Sequence, residues 1–106
     1  MRVEWTEHAK KQKDQVAGYI RRRFGYKRKK VFAQEIDETI KILMRSPNIG
    51  PIDPLFDDRP RTYRSVIING LSKMAYFIDG ETIYIAAFWD TRREPKKQAE
   101  QVERPF

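Results

Sequence analysis

Two dipeptides constrain this chain more than anything else in it: Asn69-Gly70 and Asp79-Gly80, ten residues apart. Each joins a residue that tolerates positive φ to a glycine, which is what a tight hairpin turn needs. Around them run Tyr63–Ile68, Ser72–Ile78 and Glu81–Phe88, rich in β-branched and aromatic residues. Three antiparallel strands in a meander are therefore expected. Two-residue turns would pair Ile68 with Leu71, Val66 with Lys73, Ile78 with Glu81, and Lys73 with Ala86.

That register sorts the strands into two faces. One carries Ser65, Ile67, Met74, Tyr76, Ile78, Ile83, Ile85, Ala87 and Trp89, and is expected to pack on helices. The other carries Arg64, Val66, Lys73, Ala75, Tyr84, Ala86 and Phe88. On it Arg64 and Lys73 would be diagonal neighbours, with Tyr84 on the next strand and small alanines between. A shallow cationic pocket of this kind suits a phosphate and a base. A half-exposed sheet face whose long cations reach for water fits the same residues equally well.

Upstream of the meander the period changes from two to that of a helix. Arg2–Trp5 reads as a first strand, with Val3 and Trp5 on one side. Thr6 is a natural N-cap, and Glu7 places a negative charge in the first turn. Ala9, Val16, Ile20 and Phe24 form an apolar stripe, broken at Gln12 and Lys13, and Gly25 suits a helix end. A second helix is expected from about Lys27 to Arg45, burying Phe32, Ile36, Ile40, Leu43 and Met44. Ser46-Pro47 stops it. The proline-rich stretch 47–60 reads as an ordered surface loop, with Asp57-Asp58 in a turn, and the charged tail after Thr91 as a short last helix. The expectation is one α+β domain spanning 1–106: strand, two-helix hairpin, three-stranded meander.

Charge narrows the function classes. The chain holds 22 Lys and Arg against 15 Asp and Glu, a net +7, so polyanions and acidic proteins are its natural partners. Seven of those cations crowd the bend between the helices, at Arg21-Arg22-Arg23 and Lys27-Arg28-Lys29-Lys30. The first group suits a helix C-terminus, whereas the second opposes the dipole at a helix N-terminus. Phosphate contact is the functional reading of Lys27, Arg28, Lys29 and Lys30; a solvated bend is the plainer one. No cysteine is present, so disulfides, zinc–thiolate sites and cysteine nucleophiles are excluded. His8 is the only histidine, which rules out a two-histidine ribonuclease mechanism and a histidine-pair metal site, and its expected place is the surface. Tyr76 reads as core, Trp5 and Trp89 as core or edge packing. No apolar run reaches the ~20 residues of a membrane span, and no secretory signal is visible. Cytoplasmic location is expected, with no metal and no cofactor.

Taken in order, Val3-Glu4-Trp5-Thr6, Ser46-Pro47-Asn48-Ile49-Gly50, Tyr63-Arg64, Lys73 to Tyr76, and Phe88-Trp89-Asp90-Thr91-Arg92-Arg93-Glu94-Pro95 resemble the RelE/ParE family of bacterial type II toxins. The resemblance implies a RelE-like fold, with the first strand and helical hairpin on a curved antiparallel sheet. It also implies a growth inhibitor neutralised by a cognate antitoxin. RelE-like members cleave mRNA on the ribosome, and ParE-like members poison DNA gyrase without a nuclease site. Under the first, leading expectation, Arg64 and Arg93 hold the phosphate, Lys73 stabilises charge, Tyr84 acts as base or stacking group, and Arg92 contacts nucleic acid. Val66, Lys73 and Ala99 depart from the RelE-like pattern, where a lysine, an arginine and a tyrosine are usual. Gyrase inhibition is the alternative, and an inactive domain that binds an acidic protein partner is a third.

Overall fold

The computed structural model describes residues 1–102; residues 103–106 of the expected domain lie outside it. The element order is β1 (Arg2–Trp5), α1 (Glu7–Phe24), α2 (Tyr26–Arg45), a 3-10 turn (Pro54–Phe56), β2 (Arg64–Ile68), β3 (Ser72–Asp79), β4 (Thr82–Asp90) and α3 (Pro95–Glu100). The sheet order is β1-β4-β3-β2. The meander is antiparallel as expected, but β1 joins it parallel to β4, so the sheet is mixed.

Local chemistry explains the helical boundaries. The Thr6 hydroxyl accepts from the Ala9 N–H at 3.1 Å and caps α1. Gly25 alone joins the two long helices, with φ 95° and ψ 174°, a conformation close to glycine-only. The α2 N-terminus has no side-chain cap and no acid in its first turn.

The sheet is buried on both faces. On the helical side, Ala9, Ile36 and Leu43 pack on Ile68, Met74, Tyr76, Ile83, Ile85 and Phe88. On the other side, the 3-10 turn and α3 cover Ala75, Ala87 and Trp89 with Phe56, Tyr63, Ala99 and Val102. Two stripe residues are not core: Phe24 is 63% exposed and Met44 42% exposed.

The expected register is corrected in three places. At the first hairpin the loop has three residues, Asn69, Gly70 and Leu71, so Ile68 pairs with Ser72 and Val66 with Met74. That one-residue slip turns Val66 and Ile68 towards the helices and Ser65 and Ile67 away. At the second hairpin Asp79 pairs with Thr82, a slip of two that leaves the faces unchanged. Farther along, Tyr76 pairs with Ile85 but Ala75 pairs with Ala87, so Ala86 is a bulge. Beyond it the faces invert: Phe88 enters the helical core against Phe32 at 5.8 Å between centroids, and Trp89 joins the opposite face.

Candidate functional site

Gln12, which interrupts the α1 stripe, explains how the bulge is tolerated. Its Oε1 accepts the Phe88 N–H at 2.8 Å, and its Nε2 donates to Gln98 of α3 at 3.1 Å. Past the bulge, β1 no longer covers β4, and a cleft of about 640 Å³ opens between α1, the end of β4 and the turn into α3. Tyr19, Arg22, Arg92 and Arg93 line it, with Asp90 and Gln98. Arg92 grips the Asp90 carboxylate through Nε at 2.9 Å and through Nη2. The Arg92 guanidinium beside it holds Asp90 below its ordinary pKa, and Asp90 raises that of Arg92. Arg93 lines the cleft with its side chain exposed.

The other expected site residues lie elsewhere. Arg64 pairs with Tyr76, on the helical side of the sheet, and donates to the carbonyls of Gly50 at 2.8 Å and Asn48 at 3.2 Å. Tyr76 holds the same loop: its hydroxyl donates to the Pro47 carbonyl at 2.7 Å and accepts the Gly50 N–H at 3.1 Å. Gly50 is required there, since a Cβ would lie 2.8 Å from both the Ser65 carbonyl and the Tyr76 hydroxyl.

Lys73 is on the opposite face from Arg64, because its cross-strand partner is Ile67. Its Nζ pairs with the Asp53 carboxylate at 2.7 Å. Asp53 is 5% exposed and also accepts from the Ser65 hydroxyl at 2.6 Å and the Leu55 N–H at 3.0 Å. Burial pushes the Asp53 carboxyl up; the bonds from Lys73, Ser65 and Leu55 together outweigh it, so it sits below its ordinary value. Tyr84 shares a face with Lys73 but pairs with Phe77, on which it stacks at 5.2 Å. Phe77 lies four positions along β3 from Lys73, or ~13 Å. The pocket expected from Arg64, Lys73 and Tyr84 is therefore not assembled.

Lys27, Arg28 and Lys30 are exposed at the start of α2 and Lys29 is half-buried; Arg28 lines a recess with Phe24, Ile68 and Ser72. His8 is half-buried, not on the surface, and its Nε2 is enclosed without a hydrogen-bond partner. Burial, helped by Lys11, lowers its pKa. Among the described residues no group of three or more His, Asp or Glu is placed to hold a metal. Sequence reasoning missed Asp53 and Arg59. The Arg59 side chain is 2% exposed, lies over Phe56, and donates to the Ala99 carbonyl at 2.6 Å, tying α3 to the 3-10 turn. Nothing in the spacing of the proline-rich loop marks either as buried. Gln12 did leave a signal, as a polar gap in an apolar stripe.

A helical hairpin is laid on a small meander, with a basic cleft at the end of β4. The chain matches a solved structure from the chromosomal ParDE TA system of P. aeruginosa with a TM-score of 0.68 and 21% identity, over 85% of this chain and 95% of that one. No curated protein matches it in sequence. The family model described as the ParE toxin of type II toxin–antitoxin system, parDE, matches residues 3–95, and the chain belongs to that family. Membership of a toxin–antitoxin system implies a cognate antitoxin as partner. No helix among the described residues is long and apolar enough to cross a membrane.

Proposed function

We propose that this toxin arrests growth by binding DNA gyrase in the cytoplasm, and does not cut RNA. One observation carries the choice between the two targets. Arg64 and Lys73 lie on opposite faces of the sheet, one holding the carbonyls of Asn48 and Gly50, the other paired with the buried Asp53. Phosphoryl transfer needs cations and a base converging on one phosphate, in a fixed geometry of about 3 Å contacts. Arg64, Lys73 and Tyr84 offer no such convergence. Membership of the ParE family supports the same reading, as do the departures at Val66 and Ala99 from the RelE-like pattern.

One feature favours the nuclease alternative: Arg22 and Arg93 both line the 640 Å³ cleft, as does Tyr19, with room for a nucleotide. Inducible expression separates the readings when translation and plasmid supercoiling are followed in one culture. Gyrase inhibition predicts DNA breaks and an SOS response while early translation continues. Messages cut within reading frames, with translation stopping first, would replace the proposal with the nuclease. No growth effect would leave only a binding domain for an acidic protein.

A further inference from the structure

The bend between α1 and α2 has no part in the loop network, and of its cations only Arg22 reaches the cleft, yet it carries the densest charge in the molecule. From Gln15 to Gln34 there are seven cations and no acid. None of the seven forms an ion pair among the described residues. Lys27, Arg28, Lys29 and Lys30 sit where the helix dipole disfavours them, with no acid in that turn. Sequences keep locally unfavourable choices chiefly where a function needs them.

Geometry adds a seat and a tip. Between the helices, Arg21, Arg22 and Lys29 surround a shallow recess floored by Ala17 and Gly18, with Asp14 at its margin. The missing side chain of Gly18 leaves space that Arg22 Nη1 fills, 3.2 Å from where a Cβ would stand. At the tip, Phe24 and Tyr26 flank Gly25 and are 63% and 65% exposed.

We infer that this helical tip binds the phosphodiester backbone of a nucleic-acid duplex, with one phosphate in the Arg21–Arg22–Lys29 recess. Helices packed about 8–10 Å apart carry two groups of cations over a span comparable to a ~12 Å major groove, so phosphates on both strands are in reach. Successive cations advance by about 100° and ring each helix end. A membrane-lying helix would need them on one side and a continuous free apolar face on the other, whereas Ala9, Val16, Phe32, Ile36, Ile40 and Leu43 of α1 and α2 are used on the sheet. The inference stands whether or not gyrase is the target.

The test is fluorescence anisotropy of the full chain with a labelled 20-bp duplex, as DNA and as RNA, between 50 and 200 mM salt. Four or five phosphate contacts predict a roughly 150- to 500-fold loss of affinity over that range. Replacing Lys27, Arg28, Lys29 and Lys30 together with Gln should lower the salt slope by about one for each contact removed. A control with Lys10, Lys41, Arg45 and Lys96 changed to Gln has the same net charge and should keep the slope of the parent. Thermal melting of the first variant should not fall, because the substitutions relieve the N-terminus of α2. Binding of either duplex in this pattern supports the inference and identifies the source of the phosphates. Equal losses in both variants would reduce the effect to net charge and overturn it. So would competition by polyglutamate as effective as by duplex, or capture by anionic vesicles without duplex binding.

Discussion

Removing the Lys73 ammonium tests whether this residue is scaffold or chemistry. Lys73→Met takes one of three donors from a buried carboxylate, leaving the Ser65 hydroxyl and the Leu55 N–H. A hydrogen bond to a charged group contributes about 1.5–3 kcal/mol, and stranding a fully buried ion costs about 3–5 kcal/mol. The Lys73 side chain is 21% exposed, so the lower range applies: about 2–3 kcal/mol. For a domain of this size that is a fall of roughly 10 °C or more in Tm, or about 1–2 M in urea midpoint. Adding Asp53→Asn to Lys73→Met removes the stranded charge and should recover at least about 1 kcal/mol, which a double-mutant cycle reads directly. Acid behaviour gives a second check. The folded Asp53 pKa lies below its ordinary 3.8, so its contribution is complete above that value and is lost as pH falls through the folded pKa. Without Lys73 the carboxyl titrates higher, and the acid limb of the stability curve moves up in pH. Toxicity in the double variant, expressed at equal level, should persist. If Lys73→Met melts within 0.5 kcal/mol of the parent and yet abolishes toxicity, the scaffold reading is refuted and Lys73 returns to the chemistry.

Three further outcomes are expected. Gly50→Ala drives a Cβ into the Tyr76 hydroxyl and the Ser65 carbonyl and should cost about 1–3 kcal/mol in urea unfolding; Tyr76→Phe, which leaves the Gly50 N–H unpaired, should cost a similar amount. Gly25→Ala forces a side chain into φ 95°, with nothing for its Cβ to clash with, so its loss of about 1–3 kcal/mol is backbone strain alone and hydrogen exchange should rise around residues 22–30. His8 has a lowered pKa, so its contribution is complete above its unfolded value of 6.5 and declines as pH falls through the folded one; a His8→Gln variant should lose that slope below pH 6.5 in melting curves.

The element order is readable in the residues because turn chemistry and helical caps act locally. Asn69 and Gly70 do adopt left-handed φ of 54° and 68°, as a hairpin dipeptide should. What the dipeptide does not reveal is loop length, and Leu71 becomes a third loop residue whose N–H bonds the Ile68 carbonyl at 3.1 Å. That single residue decides which side of the sheet Val66 and Ser65 occupy. The bulge at Ala86 is hidden for a different reason: Ala86, Ala87, Phe88 and Trp89 are all buried, on two covered faces, so no alternation marks where the face inverts. Met74, Tyr76, Ile78, Ile83 and Ile85 keep their expected side because a slip of two conserves it. Both errors fall on the residues from which a pocket had been assembled, which is why the fold was more legible than the site.

The family resemblance has a physical basis that also explains why it could not choose a target. Thr6 caps α1 and, through its N–H, bonds the Ile85 carbonyl at 3.0 Å, locking the helix start to β4. Gly50, Tyr76 and Arg64 form one network that anchors the loop after α2. Lys73 and Asp53 anchor its other half. The segments shared with the family are thus largely those that hold the scaffold, and a scaffold serves a nuclease and a gyrase inhibitor alike. Discrimination has to lie in cations without a structural duty. Arg93 at the cleft and the seven around Gly25 meet that description, and neither helix packing nor the loop network requires any of them. Their removal should therefore separate toxicity from stability, whereas removal of Arg64 or Lys73 should lower both together.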